Sequence, residues 1–451
     1  MNLHRLLQQR VAGGRPVRVG LIGAGKFGSM FLSQVPTTPG IEVAAIADLA
    51  PDRAREACRR VGWEDARIKT TRFTDDAMAM MVAGDIDVVV EATGHAPAGI
   101  AHARRAIAEG KHIVMVNVEA DVLAGFALAR EAARAGVVYT LAYGDQPALI
   151  CELVDWARAC GFRVIAAGKG TKYLPEYHGS TPATVWPHYG LTEDAARAGG
   201  MNPQMFNSFL DGTKSGIEMA AVANATGLTP PPDGLRFPPC GTHELAQMLR
   251  PGNEGVLHHA GQVEVVSSLH RDGRDVANDL RWGVYVVFEA PNDYAARCFR
   301  EYGVVTDESG RVSALYRPFH LIGLELNVSV LSAALRGEAT GAPTGFRGDV
   351  VATAKRDLQA GEVLDGEGGA CVWGKLLPAA TSLEIGGLPI GLANRVPLLR
   401  NVKAGQCVTW QDVRIDPDDG VYRYRREMEA MAGGTKHVIA RSAATNQSPA
   451  W

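Results

Sequence analysis

The chain has 451 residues, 46% hydrophobic and 21% charged, the balance of an ordinary globular protein with length for two or three domains. Its 46 basic and 49 acidic residues leave a formal net charge of −3, which argues against a nucleic-acid or anionic-membrane partner, since both demand basic surface. Seven scattered cysteines without a Cys-x-x-Cys pair argue against a disulfide framework or zinc site and point to a reducing, cytoplasmic compartment; no stretch approaches the ~18 apolar residues of a membrane span.

Short apolar runs alternate with amphipathic segments through residue 150. Val17 to Ile22 reads as a strand, Lys26 to Val35 as a helix and Glu42 to Ala47 as a strand, with a helix opening near Pro51 and Asp52. Ile86 to Val90, His112 to Val116 and Val137 to Leu141 read as further strands, separated by helices at His102 to Glu109 and Asp121 to Ala135. Alternation of this kind predicts right-handed crossovers and a parallel sheet.

The middle of the chain is mixed. Leu149 to Cys160 reads as a helix, Arg163 to Ala167 as a strand, and Phe206 to Thr226 carries apolar residues at helical spacing. Gln262 to Ser268 and Gly283 to Phe288 have the Val-rich composition of strands, and a helix over Leu324 to Leu335 closes the unit. Gly337 to Asp349 reads as a linker, and the Gly-divided segments beyond it as a small all-β unit ending near Asp416; the tail from Gly433 has little to pack. The predicted fold is α/β: a Rossmann domain (1–147) with a parallel sheet, an α+β substrate domain (148–340), a small β-unit (341–416) and a C-terminal tail (417–451).

Gly23-Ala24-Gly25-Lys26-Phe27-Gly28 is a Gly-x-Gly-x-x-Gly run that leaves the first strand and opens a helix. Gly23 permits the turn, Gly25 lets backbone approach a pyrophosphate, and Gly28 lets helix and strand pack closely. Asp48 ends the second strand, 25 residues after Gly23. There it either accepts from a ribose 2′-OH, which favours NAD and leaves NADP as the alternative, or caps the next helix. Ala92-Thr93-Gly94 and Asn117-Val118-Glu119 follow later strands and point at the same crevice. Asn117 and Glu119 either meet the nicotinamide end or merely start helices, with Thr93 and Asp121 as caps.

Hydride transfer needs a group to handle the proton of the alcohol or carbonyl, and a lysine in a pocket suits that task. Lys169 sits at the mouth of an apolar strand in Gly168-Lys169-Gly170-Thr171-Lys172, with Lys172 as a substrate ligand. Lys214 and Glu218 lie four apart on one predicted helix face. Asp145 follows a strand, where it binds substrate or metal, but a carboxylate without a neighbouring acid or His makes a thin metal site, so none is assigned. Arg317 and His320 set a fixed cation beside an acid/base candidate.

Laid out in this way, the chain resembles the deoxyxylulose-phosphate reductoisomerase-like (DRL) proteins, relatives of homoserine dehydrogenase, from about Pro16 to Asp416. The likeness rests on residues 19–25, Met115-Val116-Asn117-Val118-Glu119-Ala120-Asp121, Ala167-Gly168-Lys169-Gly170, residues 218–228 and Arg317-Pro318-Phe319-His320-Leu321. Residues 354–362 resemble a SAF domain, a β-clip module. The resemblance implies NADPH-dependent rearrangement and reduction of a phosphorylated ketose, with Lys169, Lys214, Glu218, Asn224, Arg317 and His320 around the substrate. Asp48 stands where an NADP-using member carries a small or basic residue, and Gln146 where an acid would improve a metal site. The expectation is an NAD(P)-dependent oxidoreductase, a homo-oligomer, acting on a small polyol, sugar derivative or hydroxy acid, with or without a phosphate. Reductoisomerase, redox-neutral isomerase with tightly held NAD, and non-catalytic dinucleotide sensor stand as alternatives.

Overall fold

The computed structural model describes residues 2–445, with side chains described to residue 433. Strands β1 (Val17–Ile22), β2 (Ile41–Ala47), β3 (Arg72–Thr74), β4 (Val88–Glu91), β5 (His112–Met115) and β6 (Tyr139–Leu141) form one sheet in the order β3-β2-β1-β4-β5-β6. Every pairing is parallel. This is the doubly wound Rossmann order, with its switch point between β1 and β4. Ile22 lies beside Ala47 and Glu91, Glu91 beside Met115, and Met115 beside Leu141, so the carboxyl ends are level along one edge of the crevice. The strands are apolar on both faces because helices cover both.

A second, mixed sheet follows. Strands β7 (Arg163–Thr171), β8 (Gln262–Ser267), β9 (Val284–Glu289) and β10 (Val312–Arg317) lie in the order β10-β9-β7-β8. Strand β7 runs to Thr171, four residues beyond the predicted end, so Lys169 lies within the strand and not at its mouth. Gly168 and Gly170 make this extension possible. A Cβ on Gly168 would lie 1.7 Å from the Glu264 carbonyl oxygen, and one on Gly170 1.9 Å from that of Leu280.

The run Phe206 to Thr226 is two helices, Pro203–Leu210 and Thr213–Thr226, broken at Gly212, whose φ is +88°. The second helix is buried almost all round, as a helix between layers must be. The helix Asn327–Arg336 does not close the central unit: Val330 and Leu331 pack into the Rossmann core with Leu3 and Leu7 of an N-terminal helix, Leu3–Ala12.

The third unit pairs β11 (Gly348–Ala354) with β13 (Val372–Pro378) and β12 (Val363–Asp365) with β14 (Asn394–Pro397), all antiparallel. One helix, Ala379–Ile385, interrupts the expected all-β pattern. Within the segment read as a tail, a helix spans Gly420–Thr445, and its Tyr424 and Met428 enter the Rossmann core. Its anchor is Arg425, fully buried, which donates to Asp349, Glu429 and the Leu123 carbonyl. Among the described residues, no helix is long and apolar enough to cross a membrane.

Candidate active site

The Gly-rich loop joins β1 to the helix Lys26–Gln34. Gly23 has φ +92°, and a Cβ there would lie 2.8 Å from the Ala92 carbonyl oxygen. A Cβ on Gly28 would meet the Gly23 carbonyl oxygen at 2.2 Å, so helix and strand pack only because position 28 is glycine. Gly25, the N-cap, differs: an added Cβ would meet nothing within 4 Å, and no side chain caps the helix. Open space therefore lies before a helix N-terminus, with Lys26 and Phe27 exposed beside it, and this fits a dinucleotide pyrophosphate.

Asp48 sits just past β2. Its carboxylate accepts from the backbone N–H of Ala24 at 2.9 Å and of Ala50 at 3.0 Å, which ties it to the Gly-rich loop. Ala92, Thr93 and Gly94 follow β4, and Asn117 and Val118 follow β5. The helix caps differ from those expected: His95, not Thr93, caps Ala96–Ala108, and Asn117, not Asp121, caps Val118–Ala135. Thr93 and Asp121 are already engaged, Thr93 with the Glu91 carboxylate and Asp121 with the Tyr139 hydroxyl. Glu91 is fully buried, with His102 Nδ1 at 3.2 Å from its Oε1 and no hydrogen-bond partner for its Oε2.

Beyond the nicotinamide end of this edge, side chains from both halves converge. Lys169 on β7 is 7% exposed, and its Nζ donates to Gln146 Oε1 at 2.8 Å and to Glu218 Oε2. Lys214 Nζ donates to Glu119 Oε1 across the domain boundary. Burial alone would depress the Lys214 ammonium, but Glu119, Glu218, Glu367 and Asp145 together hold its pKa above the ordinary lysine value. Asp145 caps the helix Gln146–Ala159 through the Gln146 N–H. Burial, reinforced by the charge of Glu218, raises its carboxyl to about 6, against the pull of Lys214 and His320.

The other substrate candidates are held elsewhere. Arg317 ends β10 and pairs with Glu325, with Tyr143 Oη at 3.3 Å. His320 Nδ1 donates to the Trp282 carbonyl, 2.7 Å away. Lys172 Nζ donates to the His188 carbonyl. Asn224 is not placed for substrate: its Oδ1 accepts from the N–H groups of Arg347 and Gly348 and its Nδ2 donates to the Gly348 carbonyl, fixing the entry to β11. The reading of the sequence missed Gln146 as the second acceptor for Lys169, although it adjoins Asp145. It also missed Glu367, whose one signal was an acid inside the run Gly366-Glu367-Gly368-Gly369. Among the described residues, no three His, Cys, Asp or Glu side chains are grouped to hold a metal ion.

No curated protein matches the chain significantly. Among solved structures, levoglucosan dehydrogenase in complex with NADH and levoglucosan is 17% identical, aligned over 72% of this chain and 91% of its own, with a TM-score of 0.37. A probable dehydrogenase from Thermotoga maritima is 14% identical over 72% and 90%, with a TM-score of 0.38. KijD10, a 3-ketoreductase from Actinomadura kijaniata in complex with NADP, is 20% identical over 35% of this chain, TM-score 0.25; the match spans about half of that enzyme's length, 50%. Residues 17–143 match the oxidoreductase family with an NAD-binding Rossmann fold, and residues 144–326 match the catalytic domain of oxidoreductase DRL. The two matches together span residues 17–326.

Proposed function

We propose that the protein is an NAD(P)-dependent oxidoreductase that moves a hydride between the nicotinamide and a carbon of a small polyol, sugar derivative or hydroxy acid. One observation carries this reading: Lys169, buried beyond the carboxyl edge of the Rossmann sheet, is fixed by Gln146 and Glu218. An ammonium has three protons to donate, and two acceptors leave one for a substrate oxygen. The bound dinucleotide supplies the hydride donor or acceptor. Lys169 polarises the reacting oxygen, Glu218 and Gln146 orient Lys169, Asp145, its carboxyl raised to about 6, takes up and returns a proton nearby, and Lys214 with Glu119 lines the approach.

Asp48 supports NAD over NADP, because a carboxylate tied to the Gly-rich loop favours a ribose 2′-OH and repels a 2′-phosphate. The charge balance supports a substrate without a phosphate over a phosphorylated ketose. Asp145, Glu119 and Glu218 meet Lys169 and Lys214, both already paired, with the His320 ring also drawing on Asp145, and Arg317 is paired with Glu325. The SAF-like identity of the third unit and the kinship with homoserine dehydrogenase belong to the same proposal, the former supported by the short antiparallel pairs of residues 348–397. So do a cytoplasmic location, supported by seven free cysteines, and a homo-oligomer, supported by Leu315, Tyr316 and Phe319 exposed on and beside edge strand β10.

The test is a panel of polyols, aldoses and hydroxy acids assayed for NAD reduction with the wild type and Lys169→Met. Turnover falls by more than about tenfold in the variant while dinucleotide affinity stays within a factor of about two. Undiminished turnover in Lys169→Met removes the lysine from the mechanism.

A further inference from the structure

The third unit reaches the site through the loop between β12 and β13, residues 366–371. The loop is fastened to the helix Pro203–Leu210 by side chains. Gln204 Nε2 donates to the carbonyls of Asp365 and Glu367 at 2.9 Å each, and Asn207 Nδ2 to that of Gly368 at 2.8 Å. Lys355 Nζ, itself buried in an ion pair with Asp211, donates to the Gly369 carbonyl at 2.7 Å. Gly368 has φ +67°, and a Cβ there would lie 2.0 Å from the Gln204 carbonyl oxygen, so the loop presses directly on the helix.

This fastening carries the Glu367 side chain inward. It lines a small cavity together with Glu119, Asp349 and Arg425. Glu119 faces it from the helix Val118–Ala135, Asp211 from the turn after Pro203–Leu210, Lys214 from the start of Thr213–Thr226, and Ser208 from Pro203–Leu210, its hydroxyl donating to the Met205 carbonyl. Of the four bonds that fasten the loop, three run from the helix Pro203–Leu210 to the end of β12 and the loop, and the fourth, from Lys355, ties the loop within the third unit.

We propose that Glu367 is a positioning residue of the active site, inserted by the C-terminal unit beside the Lys214–Glu119 pair to set the charge and direction of Lys214. Burial, and then the Glu119 charge, raise the Glu367 carboxyl to about 8. It is therefore protonated and neutral at pH 7, where an ionised acid would compete with Glu119 for Lys214. Above that pH it ionises, draws Lys214 away from Glu119, and the approach to the substrate changes. The C-terminal unit is then part of the chemistry and not only of the packing. The kinetic consequence rests on the oxidoreductase reading; the ionisation does not.

The experiment is an infrared pH titration of the carboxyl C=O stretch on the full chain, comparing wild type with Glu367→Gln. The difference spectrum shows one protonated carboxyl at neutral pH that disappears as pH rises through about 8. Glu119→Gln moves that midpoint down, since it removes a raising charge and frees Lys214 to face Glu367; Lys214→Met moves it up. A difference spectrum without a neutral-pH carboxyl band, or a midpoint that neither variant moves, overturns the proposal. With the panel substrate, Glu367→Gln keeps neutral-pH kcat/KM within a few-fold but loses the alkaline limb, whereas Glu367→Ala loses more than about tenfold. An acid that serves packing alone leaves the pH profile of Glu367→Gln identical to the wild type, which also overturns it. If no panel compound is turned over, the oxidoreductase reading fails while the infrared titration still decides the role of Glu367.

Discussion

Asp121 lies in the first turn of the helix Val118–Ala135, 1% exposed, with its Oδ1 accepting from Tyr139 Oη at 2.8 Å. Burial raises its carboxyl to about 7, and the Tyr139 bond only partly opposes this. The native state therefore holds a proton that the unfolded chain releases near pH 4, and stability falls as pH rises from there to about 7. Glu264, buried and raised to about 7, adds to the slope in the same window. In Asp121→Asn, Tm measured from pH 5 to 8 should fall less steeply than in the wild type; an unchanged slope would show that Asp121 is ionised throughout. Single residues also mark where the sequence is legible. The turn at Gly23 and the roles of Gly25 and Gly28 are local, so the motif discloses them, though not the approach of Gly23 to Ala92. Lys169 depends on Gln146 and Glu218, 23 and 49 residues distant, and its place inside a strand depends on Glu264 and Leu280 beyond Gly168 and Gly170. No local pattern encodes such approaches.

At the scale of an element, the loop and helix after β1 separate folding from binding. Gly28→Ala forces a methyl against the Gly23 carbonyl and should lower stability by roughly 1–3 kcal/mol. Gly25→Ala has room for its methyl and an ordinary φ of −67°, so it should unfold at the wild-type temperature yet bind dinucleotide more than about tenfold more weakly. Calorimetry on both variants checks the pair, and equal loss of stability in the two would contradict this division. Five of the six strands of the Rossmann sheet are readable because apolar runs and intervening helices repeat; β3, three residues without an apolar run, is not. Nor is the helix Gly420–Thr445, because its apolar positions Val421, Tyr424 and Met428 are set among arginines, one of which, Arg425, is itself buried. The break at Gly212 was hidden inside one continuous helical spacing, since only its φ of +88° ends the first helix and starts the second.

At the scale of the whole molecule, three units meet at one place. Arg425 joins the C-terminal helix to Asp349 at the start of the third unit and to the Leu123 carbonyl of the Rossmann domain. Asp349 also accepts from Ser382 at 2.6 Å. Arg425→Met leaves Asp349 buried without its cation and should cost roughly 3–5 kcal/mol, seen as a lower Tm and faster proteolysis after residue 416. An unchanged Tm would show that the helix is not the clasp described here. The convergence of Glu119, Asp145, Lys169, Lys214 and Glu218 was legible as a list of candidates but not as pairs, because partners on different units come together only in the folded chain. The central claim is that this assembly serves a nicotinamide dinucleotide bound at the Gly-rich loop with Asp48 at its ribose. Isothermal titration of the full-length protein and of Asp48→Ala with NADH and NADPH tests it most directly. The account predicts that NADH binds more tightly than NADPH and loses roughly 10- to 100-fold in the variant, the worth of a charge-assisted hydrogen bond; binding of neither dinucleotide by the wild type would contradict it.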